Sequence, residues 1–166
     1  MTEFKYKGKC WKVGDYIPTD QIIKTQRVYQ SLDEAAKYVL EDENPRFGSE
    51  VRQGDILVAG KHFGQSSGRA VAVKALLKTG ISCVIAEYFS RTFYRNAFEI
   101  GLPILEVAGI SEAAKEGDTL QVDITAGTVT NERTGAVLKG APIDPFLLDM
   151  LRAGGVIAMG PELVGR

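Results

Sequence analysis

Histidine and cysteine are scarce in this chain, with one histidine and two cysteines in 166 residues. Cys10 and Cys83 stand far apart and share no C-x-x-C spacing. Two such thiols build no disulfide framework and cannot by themselves hold zinc or an iron–sulfur cluster, so no metal site is expected on this chain. The single imidazole, His62, excludes a histidine-based catalytic dyad elsewhere along the sequence. An excess of one charge is also missing. Lys and Arg number 20 against 21 Asp and Glu, for a formal net charge of −1, which makes no electrostatic case for nucleic acid or an anionic membrane. No apolar run is long enough to span a bilayer, and MTEFKYKGKCWK lacks the apolar heart of a signal peptide, so the expected location is cytoplasmic. Neither G-x-x-x-x-G-K-[ST] nor G-x-G-x-x-G occurs, which removes the P-loop and the dinucleotide fingerprint. Repeats, low-complexity tracts and linkers are absent too, and the length suits a single domain over residues 1–166.

What is present centres on Asp55 to Gly80, DILVAGKHFGQSSGRAVAVKALLKTG. DILVAG is a short apolar run that reads as a buried strand. KHFGQSSG is a loop of small residues whose glycines allow close backbone approach to a ligand. RAVAVKALLKT carries Ala72, Ala75, Leu76 and Thr79 at helical spacing, with Gly80 as its C′ residue. A strand, a Gly/Ser loop and a helix make an anion site when the unpaired N–H groups of the first turn face a ligand. Arg69 in that turn could grip a carboxylate or phosphate with two parallel hydrogen bonds. The same pattern also describes a tight turn with a serine N-cap. His62, beside the loop, is read either as a ligand contact or as a structural or solvated side chain.

The flanking segments supply the rest of an α/β domain. FKYKGKCWKV reads as a first strand with Phe4, Tyr6 and Trp11 inward, and Pro18 argues against regular structure in GDYIPTDQII. Ser31 and Glu34 form a capping box for a helix to about Glu41, and ENPRFGSEVRQGD reads as loop and turn. SCVIAEYF is expected to alternate as a strand, with Cys83 buried, and to complete a βαβ unit. SRTFYRNAFEIG is a second helix with Phe93, Ala97 and Ile100 on one face; Arg91 and Arg95 form a basic edge four residues apart. LPILEV is a further strand, TLQVDI, GTVTN and GAVLKG form a meander, and DPFLLDMLRAGG is a helix begun by Asp144 and Pro145.

Taken together, these motifs identify a resemblance to the small subunits of 3-isopropylmalate dehydratases, in the aconitase superfamily. GKCWKVGDYIPTDQII is similar to the family's opening G-x-x-W-x-x-G-D-N-I-x-T-D-x-I. VRQGDILVAGKHFG resembles V-x-x-G-D-I-I-V-A-G-x-N-F-G, and AEYFSRTFYRNAFEIGLPIL resembles A-x-S-F-x-R-I-F-Y-R-N-A-x-N-I-G-L-P. Where the family has C-G-S-S-R-E-H-A, this chain has Gln65-Ser66-Ser67-Gly68-Arg69-Ala70-Val71-Ala72 without a gap. On that register Ser67 falls on the catalytic serine and Arg69 on the substrate-binding arginine. Ser66 and Gly68 flank them as further substrate-binding candidates, while the glutamate and histidine are replaced by Ala70 and Val71. Tyr16 replaces the asparagine of the GDN motif. Arg27 in KTQRVYQ is the nearest equivalent of a further family arginine, a candidate for a second carboxylate or the substrate's variable group.

The resemblance implies a swivelling β/β/α domain of the aconitase C-terminal type. It also implies a hydroxy-dicarboxylate substrate and a large-subunit partner that carries a [4Fe–4S] cluster. The alternatives are a subunit for another malate derivative (dimethylmalate, citramalate or homoaconitate) and a non-catalytic module that binds a carboxylate or serves regulation.

Overall fold

The computed structural model describes residues 4–66 and 70–155. Strand β1 (Lys5–Lys12) opens the chain, and Trp11 on it is fully buried. A one-turn helix, α1 (Thr19–Ile22), follows Pro18 directly, where sequence argues for irregular structure. Pro18 stands at the N-cap with φ −76, a position whose N–H has no helical partner to lose. Its carbonyl accepts from the N–H groups of Gln21 and Ile22. In α2 (Leu32–Ala36), Ser31 Oγ accepts from Glu34 N at 3.2 Å. The helix stops short of Glu41, and turns carry the chain to Leu40, whose φ of 57 cannot continue a right-handed helix. A second one-turn helix, α3 (Phe47–Glu50), forms inside the expected loop and buries Phe47 against Trp11, edge to face at 5.6 Å.

The central unit is β2 (Ile56–Ala59), α4 (Ala70–Lys78) and β3 (Cys83–Ala86). Ala72, Val73, Ala75 and Leu76 make the buried face of α4, and Gly80 takes a φ of 92 beyond it. Every residue of β2 and β3 is buried, so β3 shows none of the expected alternation. A strand inside a parallel sheet is covered on both faces, and a continuous apolar run suits it better than alternation. Helix α5 (Arg91–Ile100) begins at Ser90, whose Oγ accepts from Phe93 N, and ends at Gly101 with φ 98. Strand β4 (Ile104–Glu106) then leads to an unanticipated single turn, α6 (Ile110–Ala113). The meander forms as expected from β5 (Thr119–Asp123), β6 (Thr128–Asn131) and β7 (Val137–Lys139). Helix α7 (Pro145–Ala153) starts at Asp144, which accepts from Phe146 N at 2.8 Å.

One seven-stranded sheet results, in the order β4-β3-β2-β1-β5-β6-β7. The C-terminal part of β1 pairs parallel with β2, and its N-terminal part pairs antiparallel with β5. The sheet is therefore parallel on one side of β1 and antiparallel on the other. Helices α4 and α5 pack together, and α2 and α7 extend that layer. Ligands of open α/β sheets bind outside the carboxyl ends of parallel strands, and here those ends lead into the Gly/Ser loop.

Candidate functional site

The loop after β2 is pinned on both flanks by backbone hydrogen bonds. On the β1 side, Gly60 N donates to Gly14 O, Tyr16 N to Lys61 O, Gly64 N to Ile17 O and Thr19 N to Gln65 O, at 2.7 to 3.0 Å. Lys61 N donates to Asp15 Oδ1 at 2.8 Å. On the β3 side, Ser90 N donates to Phe63 O at 3.0 Å and Ser90 Oγ to Gly64 O at 2.8 Å. The same serine thus caps α5 and ties the loop. Phe63 sits in an aromatic cluster with Phe89 and Phe93, fully buried. Gly64 has φ 84, and a Cβ there would enter the ring of Phe93, so glycine is sterically required at this point.

Backbone strain gathers around this loop. Tyr16 (φ 57), His62 (φ 56) and Ser66 (φ 82) are three of the five described non-glycine residues at positive φ. Each such residue costs roughly 1–2 kcal/mol and persists where its surroundings enforce it. The left-handed φ of Ser66 is one that glycine adopts freely.

His62 is fixed by two tyrosines that lie just beyond the ends of the neighbouring strands β1 and β3. Its Nε2 lies 2.7 Å from the Tyr88 hydroxyl, and the two rings meet edge to face with centroids 4.5 Å apart. The Tyr16 ring stacks on the imidazole at 4.9 Å with an interplanar angle of 22°. Tyr88 carried no sequence signal for this role, because the contact joins residues 26 positions apart.

Ser67, Gly68 and Arg69 lie outside the described residues, between Ser66 and the first residue of α4. Arg27 is not brought to the loop's polar groups. Its Nε and Nη2 donate to the two oxygens of Glu41 at 3.2 and 3.3 Å, and its guanidinium lies 3.7 Å over the Tyr38 ring. To meet a substrate carboxylate, Arg27 would have to exchange that partner. Arg91 and Arg95 are exposed and line a cleft of about 400 Å³ with Phe89, Tyr94, Glu106 and Leu147.

Among the described residues no group of three or more His, Cys, Asp or Glu could hold a metal ion. Both thiols are fully buried. Burial pushes Cys83 up to about 12, and burial with the nearby Asp118 carboxylate does the same for Cys10. Neither is poised as a thiolate ligand. Among the same residues no helix is long and apolar enough to cross a membrane.

Comparison with known proteins agrees with this geometry. Residues 14–109 match the Aconitase C-terminal domain. The chain is 45% identical over 152 residues to the isopropylmalate/citramalate isomerase small subunit of Methanocaldococcus jannaschii, covering 91% of this chain and 90% of that one. It is 42% identical over 162 residues to the 3-isopropylmalate dehydratase small subunit of Aquifex aeolicus, covering 96% of each. A crystal structure of 3-isopropylmalate dehydratase from Methanocaldococcus jannaschii superimposes with a TM-score of 0.89 at 30% identity over 97% of both chains. With the fold and near-full-length relatives in agreement, this chain belongs to the family of 3-isopropylmalate dehydratase small subunits, hydro-lyase components built on the aconitase C-terminal domain.

Proposed function

We propose that this chain brings Ser67 and Arg69 to the active site of a two-subunit hydro-lyase acting on a substituted malate, first of all 3-isopropylmalate. The near-full-length agreement with named small subunits carries this reading. The strand–loop–helix unit supports it, because residues 67–69 stand between the pinned loop and the N-terminus of α4.

The chemistry is removal of a proton next to a carboxylate together with loss of hydroxide from the adjacent carbon. Such a carbon acid needs a strong base, and a serine alkoxide serves if its surroundings stabilise the anion. Ser67 is assigned as that base, its Oγ receiving the proton. Arg69 holds a substrate carboxylate and stabilises the charge that develops beside it. The amino end of α4 adds its partial positive charge in the same place. The large subunit would carry a [4Fe–4S] cluster, whose open iron supplies Lewis acidity toward the departing hydroxyl. The buried, protonated thiols of this chain leave cluster ligation to that partner.

A second reading takes a smaller substrate. The Methanocaldococcus relative is named for isopropylmalate and citramalate together, so a methyl-bearing malate belongs in the same screen. The deciding experiment is co-expression with a large subunit, anaerobic cluster reconstitution and a screen of substituted malates by absorbance of the unsaturated product. The complex should turn over an alkylmalate, and the isolated chain should not. Robust turnover by this chain alone would refute the division of labour.

A further inference from the structure

Helix α5 carries two guanidiniums that have no carboxylate partner, and both line one cleft. Arg27, Arg46, Arg133 and Arg152 are each paired with an acidic side chain. Arg91 and Arg95 meet none among the described residues, although Glu106 lines the cleft with them. We propose that this cleft binds an α-amino acid with an apolar side chain. Its carboxylate lies on Arg91 and Arg95, its ammonium on Glu106 and its side chain on Phe89, Tyr94 and Leu147. The site uses none of the residues assigned to the reaction, and the inference stands apart from the hydro-lyase reading.

Charge is the first argument. Residues four apart on a helix share a face, so Arg91 and Arg95 present their donors side by side. A guanidinium fork suits a carboxylate, and two forks can hold both of its oxygens. Glu106 comes from β4, a different element, and its Oε2 is fixed by Phe89 N at 2.9 Å. Its other oxygen accepts from no described residue. Opposite charges that line one cleft without closing on each other suit a ligand that carries both signs. A dicarboxylate would set one carboxylate against Glu106, and a plain amine would leave both guanidiniums unanswered.

Shape is the second. The cleft holds about 400 Å³, within the roughly 300–1,000 Å³ of small-molecule sites. Its floor is already built. Phe89 is 6% exposed, stacks on Phe93 at 5.7 Å with an interplanar angle of 9°, and meets Tyr94 at 6.4 Å. Leu147 on α7 adds aliphatic surface. Surface of this kind takes up a hydrocarbon side chain by removing it from water. Burial, followed by the Glu106 and Asp144 carboxylates, pushes the Tyr94 hydroxyl up, so that group stays neutral and adds no charge to the balance.

Titration calorimetry on the full chain, alone and in the reconstituted complex, tests the site with L-leucine and L-phenylalanine. At least one should bind saturably below about 10 mM. For the tighter of the two, the analogue without the ammonium (4-methylpentanoate or 3-phenylpropanoate) should bind about tenfold or more weakly. The same holds for the analogue without the carboxylate (3-methylbutylamine or 2-phenylethylamine) and for glycine, which lacks the side chain. An Arg91→Gln/Arg95→Gln variant should weaken the amino acid by about tenfold or more. Glu106→Gln keeps an oxygen for Phe89 N. It should weaken the amino acid by a similar factor and leave the deaminated analogue unchanged, a contrast that a merely structural role would not produce. No saturable binding of either amino acid would overturn the proposal. So would equal affinity for the deaminated analogue, or unchanged binding in the double arginine variant. Binding to the chain alone that disappears in the complex would assign the cleft to the subunit interface and overturn it as well.

Discussion

The indole N–H of Trp11 donates to Asp55 Oδ2 at 2.8 Å, a buried hydrogen bond between the penultimate residue of β1 and the residue that precedes β2. Asp55 also accepts from Arg52 N at 2.9 Å, so one carboxylate fixes the entry to β2 and its register against β1. Trp11→Phe should cost about 1–3 kcal/mol, since it leaves that carboxylate short of a buried donor. Urea unfolding should show a lower midpoint with an unchanged slope. A midpoint within error of the parent would mean that solvent replaces the indole.

A second prediction separates the two serines of the loop. In the reconstituted complex, Ser67→Ala should lower kcat by about 10²–10⁴-fold if Ser67 is the base. If Ser67 is instead only an N-cap, the cost is about 1 kcal/mol of stability with little loss of rate. Ser66→Gly relieves the left-handed strain at φ 82 and should raise stability by up to about 1 kcal/mol. Near-normal kcat in Ser67→Ala with a lowered melting temperature would remove Ser67 from the chemistry.

Arg27 gives a third. Its guanidinium is engaged by Glu41 and Tyr38, so Arg27→Ala and Glu41→Ala should act alike on stability, each by about 0.5–1 kcal/mol for a partly exposed pair. The double variant should cost less than the sum of the two. A large rise in KM in Arg27→Ala, without a matching effect in Glu41→Ala, would instead show that Arg27 turns to the substrate.

The fourth concerns acid. The Arg133 guanidinium, 2.6 Å from Asp118 Oδ1, holds this carboxyl well below the usual carboxylate range, with Lys115 N–H and the Asn131 amide assisting. A lowered folded-state pKa means that the unfolded chain binds the proton more readily. The stabilisation is thus complete well above the ordinary value of about 3.9 and is lost as pH falls below it. Asp118→Asn should flatten the decline in melting temperature below about pH 4 relative to the parent. An unchanged acid limb would place the controlling carboxylates elsewhere.

Legibility of this fold from sequence follows the distance over which each signal acts. The β2–loop–α4–β3 unit and α5 were readable because apolar spacing, the Ser90 cap and Gly101 are local. Helices α1, α3 and α6 were not, since each is a four-residue turn. A single turn has little intrinsic stability and is set by the contacts around it, as with Phe47 against Trp11. The alternation expected of β3 failed because burial on both faces is a property of its neighbours. At the site, the loop itself was legible and so was the odd tyrosine at position 16. The link from His62 to Tyr88 was not, because it depends on strand order rather than on nearby residues.

The two buried thiols flank β2 from opposite sides, Cys10 opposite Ile56 on β1 and Cys83 opposite the same residue on β3. Both are sealed in the protonated form, so a thiol reagent meets them only when the sheet parts. Modification at each cysteine, resolved by mass spectrometry, becomes a clock for one seam of the parallel half. Equal rates would describe a sheet that opens as one piece, and unequal rates would say which strand leaves first.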